Sequence, residues 1–193
     1  MFKYDDLKEK VDSLKIICVT GPMAAGKNYV SEQLEKEGWK SIDADILVHK
    51  AIEKSKASIL QAFEDEAKKR NISILDVDGN INRRELGRLL FSDAGLMAKQ
   101  EAIVYPVITG MIDEFTSANS KSIINATVLY KTPELLKKCQ AVLYVKAPFI
   151  KRILRARKRD GLSYLQIFKR FYSQKDLLKH YRRQSYNVIV ISN

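Results

Sequence analysis

The chain is poor in cysteine, with Cys18 and Cys139 the two present in 193 residues. Neither has metal-ligand spacing, which excludes a zinc site or a disulfide framework and points to two buried thiols in a reducing compartment. Long apolar runs are also missing, and nothing approaches the ~18 residues that a membrane-spanning helix needs. The N-terminus, Met1-Phe2-Lys3-Tyr4-Asp5-Asp6-Leu7-Lys8-Glu9-Lys10, is charged and lacks the apolar stretch of a secretory signal. A cytoplasmic location with no membrane partner is therefore expected. With eight glycines and four prolines the chain shows no low-complexity segment and no internal repeat. It is expected to be one domain of ordinary size with a full core.

Negative charge is scarce in one place. The chain has 34 Lys and Arg against 23 Asp and Glu, a net charge of +11. Between Lys151 and Arg183 there are twelve basic residues against Asp160 and Asp176, a surplus of ten. The remainder, 22 basic and 21 acidic, is close to neutral. One local element therefore supplies the basic character, and it is suited to meeting a polyanion.

The most informative segment that is present is Gly21-Pro22-Met23-Ala24-Ala25-Gly26-Lys27-Asn28. It reads as a phosphate-binding loop, G-x-x-x-x-G-K-[ST], with Asn at the last position. Two glycines let the backbone wrap closely around a polyphosphate, the lysine reaches the β- and γ-phosphates, and the last side chain normally ligates Mg²⁺. The context agrees. Leu14–Thr20 is a mostly β-branched apolar run that suits a buried parallel strand. Tyr29, Val30, Gln33 and Leu34 recur at helical spacing, and Gly38 offers a stop. A phosphate would sit on the N-terminus of that helix, where free N–H groups favour anions.

The rest of the chain alternates in the same way. Residues 1–13 predict a short amphipathic helix, 27–37 the helix after the loop, and Trp39–Asp43 a second strand. Residues 46–119 predict a mainly helical stretch interrupted by the turn-rich Asp76–Asn82. Ser122–Leu129 and Ala141–Val145 read as strands three and four, Pro148 as the first turn of the next helix, and Tyr186–Ile191 as a last strand. Strands alternating with helices imply a parallel sheet covered on both faces, with ligands beyond the carboxyl ends of the strands.

Asp43 and Asp45 fall at that edge. Phosphoryl transfer needs one oxygen to take the proton of the attacking hydroxyl and carboxylates to hold hydrated Mg²⁺; the competing reading is that Asp45 caps the next helix. Arg152, Arg155 and Arg159 share one helical face and suit phosphate oxygens. Tyr164, Phe168, Phe171 and Tyr172 could stack on bases, but at helical spacing they read as packing residues. The residues alone leave open a kinase acting on a small acceptor, including a nucleoside monophosphate, and a non-catalytic nucleotide- or RNA-binding protein.

In their joint order, these landmarks resemble the dephospho-CoA kinase family. They are the loop, Asp43-Ala44-Asp45-x-x-x-His49, Asn82-Arg83-x-x-Leu86-x-x-x-x-Phe91, Pro106-x-Ile108, Arg155-x-x-x-Arg159-Asp160-Gly161-Leu162-Ser163, Gln174 and Val190-Ile191-Ser192-Asn193. The resemblance runs from about residue 14 to 193. It implies an α/β P-loop kinase-like fold, three layers α/β/α around a five-stranded parallel sheet. The core would comprise 14–45, 120–147 and 184–193, with a helical CoA-binding subdomain over about 46–119, a lid over about 148–183 and an extension at 1–13. It implies ATP and dephospho-CoA as substrates, with Mg²⁺ as cofactor and the ribose 3′-hydroxyl as acceptor. Asp45 would be the catalytic base, with Lys27 and Arg155 also catalytic. Gly21, Ala24, Ala25, Gly26, Lys27, Asn28, Tyr29, Arg155 and Arg159 would bind nucleotide, and Asp45, His49 and Arg83 the acceptor. Asn28 and Asp43 would hold the metal. A monomer with at most weak self-association is expected, and nucleic acid is not. The sequence departs from the family at Asn28, at Tyr105 in place of histidine, and in Asn125–Tyr130, which lacks the family's proline and glutamate.

Overall fold

The computed structural model describes residues 4–184 and 187–193. The chain forms two compact units, one comprising residues 1–43 with 114–193 and the other residues 44–113.

The first unit is built on a five-stranded sheet. Its strands are β1 (Ile16–Thr20), β2 (Lys40–Asp43), β3 (Ser122–Asn125), β4 (Ala141–Lys146) and β5 (Val188–Ser192), in the order β2-β3-β1-β4-β5. All pairings are parallel. A parallel sheet must be covered on both faces, and the alternation along β1 shows how. Ile17 and Val19 join Leu7 and Val11 of α1 (Tyr4–Val11), Val30 and Leu34 of α2 (Lys27–Glu35), and Trp39 in one apolar cluster. Cys18 and Thr20 face the other way, toward the fully buried Tyr181. Burial pushes both thiols up, Cys139 to about 12, as two structural cysteines require.

Strand three is shorter than its apolar run predicts. The run extends to Leu129, but the ladder ends at Asn125. Ala126 still donates to Val19 O at 3.1 Å, after which the chain turns into a 3-10 turn at Leu129–Lys131 and helix α7 (Pro133–Lys138), which no periodicity had announced. Leu129 is buried by the turn itself, with its N–H donated to Tyr181 Oη at 2.8 Å. The basic segment folds as α8 (Phe149–Asp160), α9 (Tyr164–Ser173) and α10 (Leu177–Gln184). Pro148 takes the N-cap position, one residue ahead of the helix. Tyr186, the expected start of the last strand, lies outside the described residues.

The second unit is helical, with α3 (Ala44–Lys54), α4 (Lys56–Lys69), α5 (Arg83–Leu90) and most of α6 (Ala94–Ala118). Ile59, Phe63, Leu86, Leu89 and Ile112 are buried. Between α4 and α5, Asp76 Oδ1 accepts from Asp78 N (3.0 Å) and Asn80 N (2.9 Å), which closes the turn that the polar composition predicts. Asn82 caps α5 by accepting from Glu85 N at 3.2 Å. Among the described residues no helix is long and apolar enough to cross a membrane.

Candidate phosphate-binding site

The loop between β1 and α2 has a backbone that its side chains dictate. At Gly21 φ is +152°, and a Cβ there would overlap the Val145 carbonyl on β4. Gly26, the residue before α2, has φ +102° and presses against the Asn193 side chain. Ala24 holds the left-handed region at φ +59°, a conformation that costs a non-glycine residue about 1–2 kcal/mol. The N-cap of α2 is Gly26, which has no side chain to cap the helix, so the positive dipole end is open to an anion.

Strain of this kind persists only where the surroundings hold it, and here helices from the basic segment do so. Met23 donates its N–H to Gln174 Oε1 at 2.7 Å and accepts from Arg152 Nε at 2.9 Å. Its side chain and Ala24 pack with Ala156, Ile167 and Phe171. Arg152 lies over the Phe171 ring at 3.9 Å, and burial depresses its pKa. One step on, the Ala25 carbonyl accepts from Asn193 Nδ2 (3.0 Å) and Arg155 Nη1 (3.4 Å). The result is an open cleft of about 760 Å³ lined by Ala24, Gly26, Tyr29, Arg155, Lys158, Arg159 and Asn193. Among the described residues its charged lining is Arg155, Lys158 and Arg159, which suits a polyanion. Arg159 also pairs with Asp160 at 2.7 Å and holds that carboxyl below its ordinary range.

Lys27 opens α2, and its Nζ donates to Gly21 O at 3.4 Å, folded back over its own loop. Asn28 follows, and its Oδ1 accepts from Asn125 Nδ2 at 2.9 Å. Asn125 in turn lies beside Asp43 in the β2–β3 ladder. An amide oxygen and a carboxylate are hard donors of the kind Mg²⁺ takes, and Asn28 Oδ1 keeps a second lone pair. Among the described residues no group of three or more His, Cys, Asp or Glu could hold a metal. That donor set fits an ion carried mainly by nucleotide phosphates and water, with one or two protein oxygens.

The structure thus brings together Gly21, Ala24, Ala25, Gly26, Lys27, Asn28, Tyr29, Arg155 and Arg159 around one loop and cleft. Asp43 ends the strand beside Asn125. Asp45, His49 and Arg83 belong to the helical unit. Asp45 is in the first turn of α3 and its side chain lies outside the described residues, while His49 and Arg83 are exposed. Lys158, Asn125 and the loop contacts of Asn193 and Gln174 were not singled out from sequence. The packing expected of the four aromatics is seen at Phe171, which is buried, and at Phe168, whose ring stacks on Phe149 with centroids 6.0 Å apart. Tyr164, Phe168 and Tyr172 are 51%, 45% and 70% exposed, because α9 buries one stripe, Ile167 and Phe171, and turns the others outward.

Comparison with known proteins points to one family. The family model for dephospho-CoA kinase matches residues 15–193. The dephospho-CoA kinase of Treponema denticola is 38% identical over 184 residues, covering 92% of this chain and 82% of that one. That of Treponema pallidum is 35% identical over 183 residues, covering 92% and 86%. Among solved structures, TT1252 from Thermus thermophilus superposes with a TM-score of 0.73 at 25% identity, covering 93% of this chain and 89% of that one. The dephospho-CoA kinase of Campylobacter jejuni gives 0.61 at 22% identity, covering 92% and 88%, and shares the fold.

Proposed function

The chain belongs to the dephospho-CoA kinase family, and from that premise we propose how its residues divide the work of phosphorylating the ribose 3′-hydroxyl of dephospho-CoA with ATP. The observation that carries the assignment is the start of α2 at its Gly26 N-cap, with Lys27, beside a cleft whose charged lining among the described residues is Arg155, Lys158 and Arg159.

ATP enters with its phosphates along the Gly21–Asn28 backbone. Lys27 exchanges the Gly21 carbonyl for β- and γ-phosphate oxygens, and Tyr29 and Arg159 line the space beside them. Asp45 orients the 3′-hydroxyl and takes its proton as the oxygen attacks the γ-phosphorus. The bond to the bridging oxygen breaks and ADP leaves. Arg155 is held over the loop by the Ala25 carbonyl and neutralises charge on the transferring group, an effect of roughly 10³–10⁵ in rate for arginines so placed. Asn28 and Asp43 are the residues that would hold Mg²⁺, which when bound supplies charge neutralisation across the phosphates. His49 and Arg83 are the residues that would bind the acceptor. The same reading carries a cytoplasmic monomer.

The test is ADP release with dephospho-CoA set against nucleoside monophosphates. Turnover selective for dephospho-CoA is expected, and equal turnover of a nucleoside monophosphate would overturn the acceptor assignment. Asp45→Asn is expected to abolish turnover while leaving ATP affinity within a few-fold. Loss of ATP binding instead would make Asp45 a helix cap.

A further inference from the structure

The Asn28–Asn125 hydrogen bond joins two residues 97 positions apart. Asn125 is the last residue of β3, is 5% exposed, and lies in the ladder between Val19 of β1 and Asp43 of β2. Asn28 is on the first turn of α2, next to Lys27, and is exposed. The bond therefore runs from the buried end of the sheet to the rim of the loop. Its length is matched to an amide. A serine hydroxyl at position 28 is one bond closer to the backbone, so it would fall short of the Asn125 amide and leave a buried donor unsatisfied. The usual hydroxyl is thus replaced by a side chain that its partner on β3 orients.

We propose that Asn125 is a positioning residue for the donor site. It holds one lone pair of Asn28 Oδ1, which fixes the direction in which that amide presents its other lone pair and its N–H groups to the nucleotide. Asn28 and Asn125 then act as one neutral unit in place of the single hydroxyl of the common loop. A consequence is that Asn28→Ser alone does not improve this enzyme, although it restores the common motif. The inference rests on the Gly21–Asn28 loop being the ATP site.

The experiment is a double-mutant cycle on the full chain with Asn28→Ala, Asn125→Ala and the pair, reading the Kd for ATP by calorimetry with Mg²⁺ and with EDTA, and the Tm of each variant. Lys27→Ala serves as the control for the loop itself. Each single change is expected to raise the Kd for ATP with Mg²⁺ about tenfold, and the double change also about tenfold rather than a hundredfold. Asn125→Ala is expected to lower Tm by several degrees as well. If the double change costs the product of the singles, or if Asn125→Ala lowers Tm and leaves the Kd unchanged, the positioning role is wrong. If Asn125→Ala does not fold, Asn125→Ser replaces it in the cycle with the same two outcomes. Unchanged ATP binding in Lys27→Ala would instead overturn the loop assignment, which separates the two failures.

Discussion

Arg152 Nε donates to the Met23 carbonyl at 2.9 Å, so a helix 129 residues downstream holds the crown of the phosphate loop. Gln174 completes the grip from the other side by accepting the Met23 N–H at 2.7 Å. The basic segment is thus part of the loop's support as well as a source of positive charge.

Removing that grip is expected to weaken nucleotide binding before it weakens the fold. Arg152→Met keeps an apolar contact with Phe171 and removes the donor to Met23; Gln174→Leu removes the acceptor. Each is expected to raise KM for ATP about five- to tenfold, the equivalent of one net hydrogen bond of ~1–1.5 kcal/mol. Initial rates at varied ATP, with Tm as a folding control, check this.

Gly26→Ala is expected to be far worse. The added Cβ meets the Asn193 side chain, and the backbone at φ +102° disfavours any L-residue. ATP affinity should fall at least tenfold. Asn193→Ala in the same chain relieves the contact without relieving the backbone strain, so it should restore only part of the affinity. Calorimetric titration of the three variants measures both components.

The N-terminal helix precedes the stretch matched by the family model yet is part of the core. Leu7 and Val11 are 2% and 1% exposed against Leu34 and Trp39. Leu7→Ala is expected to cost about 2–4 kcal/mol by lost burial and a residual cavity, seen in urea unfolding, with kcat at 25 °C unchanged. Lys8→Ala, which removes the exposed pair with Glu37 at 2.7 Å, should change stability by less than about 1 kcal/mol.

Alkaline pH should destabilise the fold. Burial raises the Cys139 thiol from 9.0 to about 12 and also raises Cys18 and Tyr181. The native state keeps protons that the unfolded chain releases, so the contribution is whole below pH 9 and is lost as pH climbs toward 12. Cys139 alone gives a slope of at most about 1.4 kcal/mol per pH unit. Tm measured from pH 8.5 to 11 should fall, and Cys139→Ala should flatten the fall.

Much of this was legible because it is local. The strand, loop and helix from Ile16 to Glu35 follow from β-branched residues, two glycines and a helical stripe within twenty positions. The parallel sheet followed from alternation of elements. Strand three was overread because Val128 and Leu129 look like strand residues, whereas burial of Leu129 is achieved by a turn capped on Tyr181. Helical spacing placed the α9 aromatics on the helix but not their depth, so Phe171 is buried and Phe168 stacks on Phe149 while Tyr164 and Tyr172 are exposed.

The sequence by itself determined that a phosphate loop opens α2, that a parallel sheet lies beneath it, and that one segment carries the positive charge, since each depends on residue type and short spacing. Only the tertiary structure decided how the loop is held. Asn125 reaches Asn28 across 97 positions, Gln174 reaches Met23 across 151, and Asn193 reaches Ala25 across 168. Hydrogen bonds act over about 3 Å, so which distant side chains come within that reach is set by how the sheet and helices pack, and no local pattern in the chain records it.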